Sequence, residues 1–153
     1  MTTPSERLAA LGLQLPPVAA PIAAYVPATR SGAQVITSGQ LPLVDGRLVA
    51  AGKVGAEVAP EQAADAARTA ALNALAAASS LAGGLDGVAR VLKVTVFVAS
   101  VPGFTAQPQV ANGASQLFVD VFGEAGQHAR SAVGVAVLPL DAPVEVELVV
   151  ELA

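Results

Sequence analysis

The stretch from residue 129 to 152 constrains the fold more than any other, because it contains two runs of alternating residue character. In residues 132–137 valine alternates with Ala or Gly, and in residues 144–152 Val or Leu alternates with positions that are mostly glutamate. Such alternation is typical of β-strands with two different faces. Residues 138–143 contain two prolines and an Asp, which favours a turn. We therefore expect a β-hairpin whose second strand buries Val and Leu and presents glutamates on its other face.

The rest of the chain predicts one sheet with two long helices. Thr3, Pro4 and Glu6 have the spacing of a helix N-terminus with a capping box. Other turn and capping residues delimit helices at 3–12, 60–82 and 108–122, strands at 25–29, 34–37 and 88–99, a hairpin turn at Asp45-Gly46 and an extended connector at 14–24. This order indicates an α+β fold with two helices packed on one face of the sheet. We expect other copies of the chain to cover the opposite face, which is too apolar for water.

Length and composition exclude several classes of protein. We expect a single domain over residues 1–153, in which residues 1–20 form the N-terminal helix and connector. Without cysteine and with one histidine, the chain offers no disulfide and no thiolate or His-rich metal site, so no metal or cofactor is predicted. A net charge of −4 and 3% aromatic residues disfavour nucleic-acid binding. The sequence contains neither a membrane-spanning run nor a signal peptide, so we expect a cytoplasmic protein.

Arg130 is the first candidate functional residue. A strand arginine beside small residues is costly to bury unless an anion meets its guanidinium group. That anion is either a small carboxylate ligand or an acidic residue of the following strand, in a structural ion pair. In the expected hairpin Arg130 lies opposite Glu151, and Glu145 lies roughly 20 Å away along the strand. Glu145 could therefore share a ligand with Arg130 only across a subunit boundary.

Other candidates carry weaker signals. Glu145, beside Glu147, would have a raised pKa in an apolar cleft and could position water, or it could belong to a solvated edge. Ser38 either contacts a ligand or caps a turn. Tyr25, the only tyrosine, either closes a pocket or packs in the core. We see no Ser-His-Asp pattern, because the only histidine lies two residues from Arg130.

Several segments taken together resemble the RidA/YjgF family. They are found in this order and span most of the chain: Val35–Pro42 with its Ser-Gly-Gln, Val94–Val98, Ala129–Val133, Leu138-Pro139 and Val144–Glu147. The resemblance implies a chorismate-mutase-like α+β subunit that assembles as a homotrimer. It also implies that the sheets form a central barrel, with ligand sites in the clefts between subunits.

The family resemblance further implies an activity and a site. Studied members hydrolyse reactive 2-imino or enamine acids to 2-keto acids and ammonia without a cofactor, whereas others are described as endoribonucleases. By resemblance, Arg130 grips the substrate carboxylate and Glu145 positions water. The ligand-contacting residues implied by the resemblance are Tyr25, Ser38, Gly39, Arg130 and Ala132.

The chain also departs from the family pattern. Ala132 replaces a typical cysteine, Gly134 replaces a frequent glutamate, the aromatic residue expected in the second long helix near Ser115 is missing, and Gln107–Gln109 resembles a small insertion. We expect these changes to enlarge the cleft beside Arg130. The leading hypothesis is a cofactor-free imine deaminase acting on a small carboxylate ligand. The alternative is a non-catalytic protein that binds small carboxylates, and an endoribonuclease is disfavoured by the acidic charge.

Overall fold

The computed structural model describes residues 1–21 and 23–153. Its elements, in chain order, are helix α1 (Pro4–Ala10), strands β1 (Ala28–Ser31), β2 (Gln34–Thr37), β3 (Leu43–Val44) and β4 (Arg47–Leu48), helix α2 (Pro60–Ser79), strand β5 (Val88–Ala99), helix α3 (Gln107–Phe122), and strands β6 (Ala129–Val135) and β7 (Val144–Leu152). The element types expected from the sequence are confirmed. The first long helix ends three residues before its predicted end, at Ser79.

Five strands form one mixed sheet in the order β1-β2-β7-β5-β6, while β3 and β4 pair separately around Asp45-Gly46. Strand β5 is antiparallel to β7 and parallel to β6. The parallel pair requires a crossover connection, which α3 provides. The chain therefore has the α+β architecture that the order of elements predicts.

The predicted C-terminal hairpin is wrong. Strands β6 and β7 both form, but β5 lies between them and pairs with each. Glu151 pairs with Gln34 and Arg90, so Arg130 does not lie opposite it. Alternation identifies a strand and its faces but not the partner of that strand, because both edges of β5 accept an alternating neighbour.

The strand predicted at residues 25–29 begins later, at Ala28. Gly32 and Ala33 form a two-residue turn that pairs Ser31 with Gln34 and Ala28 with Thr37. Because β2 has four residues, this register gives β1 four residues as well. Tyr25 consequently lies in a bend before the strand.

Small residues bring α2 and α3 close to the sheet and to each other. Alanines of α2 are completely buried along one side of the helix, for example Ala67, Ala70 and Ala74. At Gly113 of α3 an added Cβ would collide with the backbone carbonyl of Ala64. The core between helices and sheet includes the even-numbered residues of β7 from Val144 to Val150, as their alternation predicts.

The N-terminal helix is confirmed with its capping box, in which Thr3 and Glu6 each bond the other's backbone N–H. Ser5 attaches α1 to the turn after α2 by donating from its backbone N–H and its hydroxyl to Asp86. These bonds hold the pKa of Asp86 below its ordinary value. Within the predicted connector at 14–24, Ile22 lies outside the described residues, and the other residues form no helix or strand.

The face of the sheet away from α2 and α3, here called the open face, mixes apolar and charged side chains. Ile36 and Val133 are 42% and 43% exposed on it. Lys93 also lies there and donates to the Ser131 hydroxyl. Among the described residues, no helix is long and apolar enough to span a membrane.

Candidate functional site

Arg130 lies on the edge strand β6 and faces helix α3. It pairs in register with Val94, which is fully buried beneath the helices, so the Arg130 side chain leaves the sheet on the helix side. Its Nη1 atom donates to Asn112 Oδ1 at 2.8 Å and to Ser115 Oγ at 3.2 Å. Helix α3 therefore holds the guanidinium group through two neutral acceptors.

No carboxylate pairs with Arg130 within residues 1–21 and 23–153, where the salt bridge present joins Arg68 to Asp120. The structural ion pair with the following strand, one of the two readings of Arg130, is therefore wrong for this chain. Because only Nη1 bonds to described residues, the edge formed by Nε and Nη2 has no partner among them. That edge has the geometry for two parallel hydrogen bonds to a carboxylate.

Ser115 connects Arg130 to His128. Ser115 Oγ lies 2.8 Å from His128 Nε2, and His128 Nδ1 lies 2.6 Å from the carbonyl oxygen of Gly126. A carbonyl only accepts, so the proton resides on Nδ1 and Nε2 accepts from the serine hydroxyl. Burial lowers the pKa of His128, and the nearby Arg130 charge lowers it further. The imidazole is therefore a neutral base at neutral pH.

The cleft beside Arg130 is not enlarged at Gly134, contrary to expectation. A Cβ added at Gly134 would lie 2.8 Å from Gln107 Nε2 and 3.1 Å from Ser100 Oγ. The Gln107 amide occupies this space while donating to the Phe104 carbonyl at 2.7 Å. Ala132 shares the helix-facing side of β6 and is partly buried.

Glu145 belongs to a second group of candidate residues, on the open face of β7. Its carboxylate lies directly over Gly39, where any added Cβ would overlap Oε1. Backbone bonds between Gln40 and Val146 hold the two segments together. Burial raises the pKa of Glu145, and repulsion from Glu147 raises it further. The Glu145 carboxyl group therefore gains and loses its proton at a pH closer to neutral than an ordinary glutamate does, which suits a proton-transfer group.

Ser38 directly precedes Gly39, over which Glu145 lies, and it bonds the segment that follows Tyr25. The Ser38 hydroxyl donates to the Val26 carbonyl at 2.6 Å, which fixes the segment that follows Tyr25. Tyr25 is 49% exposed, so the alternative that places it in the core of this chain is wrong. The bond from Ser38 to Val26 spans twelve residues and caps no turn, so ligand contact by Ser38 stays a prediction.

Within one chain, Arg130 and Glu145 cannot contact the same small ligand. Arg130 pairs with Val94 and Glu145 with Phe97, on opposite sides of β5. Three residues along the strand and two strand spacings separate their backbones by about 14 Å. Their side chains also leave the sheet on opposite faces, because paired residues share a face. The roughly 20 Å expected from the hairpin is therefore wrong, as is the hairpin itself, but the conclusion that one chain cannot bring both residues to one small ligand holds.

Residues 5–152 match a family described as "YjgF/chorismate mutase-like, putative endoribonuclease". The chain belongs to this YjgF family. The resemblance inferred from the sequence is thereby confirmed over nearly the whole chain.

Individual YjgF relatives agree with this assignment. Protein TCP17 of Trypanosoma cruzi is 49% identical over 149 residues, which cover 97% of the chain and 93% of the relative. The structure of protein Atu1372 of Agrobacterium tumefaciens, of unknown function, is 45% identical, with a TM-score of 0.90 and coverage of 98% and 92%. Escherichia coli TdcF, crystallised with bound serine, is 28% identical, with a TM-score of 0.65 and coverage of 91% and 94%.

The sequence did not reveal the partners of Arg130 in this YjgF chain. Asn112 and Ser115 lie one turn apart on α3, and His128 follows the helix by several residues. Only the crossover of α3 onto β6 brings them together. The sequence singled out position 115 only because the expected aromatic residue is missing there, and it did not predict that Ser115 bonds His128. A Ser-His-Asp triad is absent among the described residues, because the third group is the Gly126 carbonyl. Among the described residues, no three His, Asp or Glu side chains are grouped for metal binding.

Proposed function

We propose that this chain is a cytoplasmic, cofactor-free hydrolase that converts reactive 2-imino or enamine acids to 2-keto acids and ammonia. We propose further that it works as a homotrimer whose sheets form a central barrel. Each ligand site would then combine Arg130 of one subunit with Glu145, Gly39, Ser38 and Tyr25 of a neighbour.

The single observation that carries this proposal is the unpaired edge of the Arg130 guanidinium. A half-buried cation without a carboxylate partner costs free energy that an anionic ligand would recover. Asn112 and Ser115 fix the guanidinium plane, so its Nε and Nη2 atoms are oriented before the ligand arrives. A 2-imino acid offers the carboxylate that fits this edge and an electrophilic C2 next to it.

Glu145 supplies the proton-transfer group of the proposed reaction. Its ionised carboxylate accepts a proton from water as the water oxygen adds to C2, and the electrons of the C=N bond move to nitrogen, to which the Glu145 carboxyl returns that proton. In the resulting carbinolamine Glu145 transfers the hydroxyl proton to nitrogen as the C–N bond breaks, so that ammonia leaves and the keto acid forms. The raised pKa of Glu145 suits both directions of proton transfer.

The placement of the two groups on opposite faces of one sheet supports assembly, because a ligand site that uses both needs two subunits. The apolar residues Ile36 and Val133 on the open face support burial against other copies. The edge strand β6, which carries Arg130, would then border a neighbour's open face. Sedimentation at micromolar concentration should give three times the monomer mass, and a stable monomer would contradict the trimer.

The relatives bear on the ligand. TdcF was crystallised with serine, which has the carboxylate and the α-nitrogen of the proposed ligand class. The family description also mentions endoribonuclease activity. A net charge of −4 and few aromatic residues disfavour RNA as the ligand of this chain.

Mixed assemblies test the shared site. Arg130→Ala chains and Glu145→Ala chains should each lack hydrolysis of freshly generated 2-aminoacrylate, whereas trimers refolded from both should regain it in clefts that contain both residues. Native mass spectrometry verifies subunit exchange, and a mixture of Arg130→Ala with parent chains calibrates the activity expected per intact cleft. Verified mixed trimers that stay inactive would overturn the shared site. If parent trimers bind 2-keto acids but do not hydrolyse 2-aminoacrylate, the chain is the non-catalytic carboxylate-binding protein instead.

A further inference from the structure

The Ser115 hydroxyl lies between a cation and a neutral base. It accepts from Arg130 Nη1 at 3.2 Å and lies 2.8 Å from His128 Nε2. A third group, the Gly126 carbonyl, orients the imidazole. This arrangement of hydroxyl, base and orienting group is the signature of an activated nucleophile.

Packing fixes the imidazole further. The ring of Phe118, one turn after Ser115 on α3, meets the His128 ring edge to face at 5.7 Å and 87°. Phe118 is fully buried, so its ring restricts the movement of the imidazole on that side. Nε2 therefore remains directed at the hydroxyl, and the hydroxyl hydrogen has a defined acceptor.

We propose that Ser115 is a nucleophile, activated by His128, that gives this chain a second activity: hydrolysis of small esters that carry a carboxylate. Arg130 selects the substrate through the carboxylate, as in the proposed deaminase function, on which this choice of substrate rests. Because Ser115 bonds the same guanidinium group, an ester held through its carboxylate would present its carbonyl to Ser115. Asn112 lies one turn away with its side-chain oxygen on Arg130, and its amide nitrogen would donate to the oxyanion.

The reaction balances without any co-reactant except water. Ser115 Oγ attacks the ester carbonyl carbon while its proton moves to His128 Nε2. The C–O bond to the alcohol breaks, and the alcohol leaves with that proton. Water then attacks the acyl-serine and gives one proton to His128, the acid is released, and the proton returns to Ser115.

A fluorophosphonate probe and two aryl acetates test the proposal. Peptide mass spectrometry should locate the probe on Ser115 of the parent trimer, with labelling lost in Ser115→Ala and reduced at least about 100-fold in rate in His128→Gln. The parent should hydrolyse 3-acetoxybenzoate faster than phenyl acetate, which lacks the carboxylate, and Arg130→Ala should lose this preference. Ser80→Ala is the matched control, because Ser80 is an exposed serine directly after α2 whose hydroxyl donates to the Ala77 carbonyl.

The outcomes separate this proposal from the deaminase function. No label on Ser115, in a parent trimer that hydrolyses 2-aminoacrylate, would overturn the nucleophile and leave Ser115 and His128 as residues that position Arg130. Equal labelling of Ser115 in the parent and His128→Gln would also overturn it. Labelling that depends on His128 would support it even in a trimer inactive on 2-aminoacrylate, where only the deaminase function would fail. Circular dichroism confirms that each variant is folded.

Discussion

Replacing Gly39 by alanine should displace the Glu145 carboxylate while leaving the fold almost as stable. The backbone at Gly39 does not have a positive φ, so alanine is compatible with it. The added Cβ would overlap Glu145 Oε1 and lie 2.7 Å from Cδ, whereas ordinary contact begins at 3.4 Å. Cδ must therefore move by at least about 0.7 Å to restore ordinary contact. The Glu145 side chain can make this move, because the atoms that meet the new Cβ belong to its flexible end rather than to backbone.

The magnitudes differ sharply between activity and stability. Misplacing a reacting group by about 1 Å costs up to about 100-fold in rate. A strained Glu145 rotamer costs about 0.5–1.5 kcal/mol, while alanine recovers about 0.4–1 kcal/mol by restricting the unfolded chain. The net change in unfolding free energy should stay within about 1 kcal/mol, which is a Tm shift of about 2–4 °C or less.

Steady-state hydrolysis of 2-aminoacrylate and thermal unfolding of the same preparation check this prediction. The double variant Gly39→Ala/Glu145→Gln is the control. If Gly39→Ala acts by displacing Glu145, adding it to Glu145→Gln should cause little further loss of activity. Full activity in Gly39→Ala, or additive losses in the double variant, would refute the reasoning. A large drop in Tm would show that Glu145 cannot move aside.

Three further predictions follow from the geometry. Arg130→Lys should weaken 2-keto acid binding by about 10- to 100-fold in calorimetry, because an ammonium group cannot reproduce two parallel charged hydrogen bonds; unchanged affinity would argue against the carboxylate clamp. Glu145→Gln should raise Tm relative to the parent at pH 8, with a smaller difference at pH 4. Because the pKa of Glu145 is raised in the folded chain, the stability of the parent falls as pH rises from 4.5 through the folded-state pKa of Glu145, whereas glutamine does not ionise. A Tm difference that does not change with pH would contradict this. Gly113→Ala should lower the unfolding free energy by about 1–3 kcal/mol, because its Cβ meets the Ala64 backbone; an unchanged Tm would contradict that contact.

Alternation and capping predicted most elements of the fold, since each is a local property. The faces of β7 could be assigned because Val and Leu alternate with glutamate, and α1 because its capping box lies within four residues. Strand partners could not be assigned in this way. The connection from Val135 to Val144 is long enough for a hairpin and also for a passage across β5, and nothing in its sequence separates the two.

Arg130 and Glu145 stay predictions for the candidate site, and their surroundings could not be predicted from the sequence. Each stands out in the sequence as a charged residue in an alternating strand, whereas their contacts come from other elements. Gln107, which fills the space at Gly134, comes from a segment that looked like an insertion. A side chain from another element can occupy the place that a missing Cβ leaves, and only the fold shows which one does so.

The small-residue contact between α2 and α3 has a consequence for how this protein can evolve. Asn112 is the neighbour of Gly113, which rests on the backbone of α2, so the thickness of that contact sets the height of Asn112 and Ser115 above Arg130. Variant libraries that enlarge or shrink the residues between α2 and α3 would therefore change substrate preference without altering any residue that touches the ligand. Selection for new substrates should accumulate changes there, at positions that a search confined to the cleft would never sample.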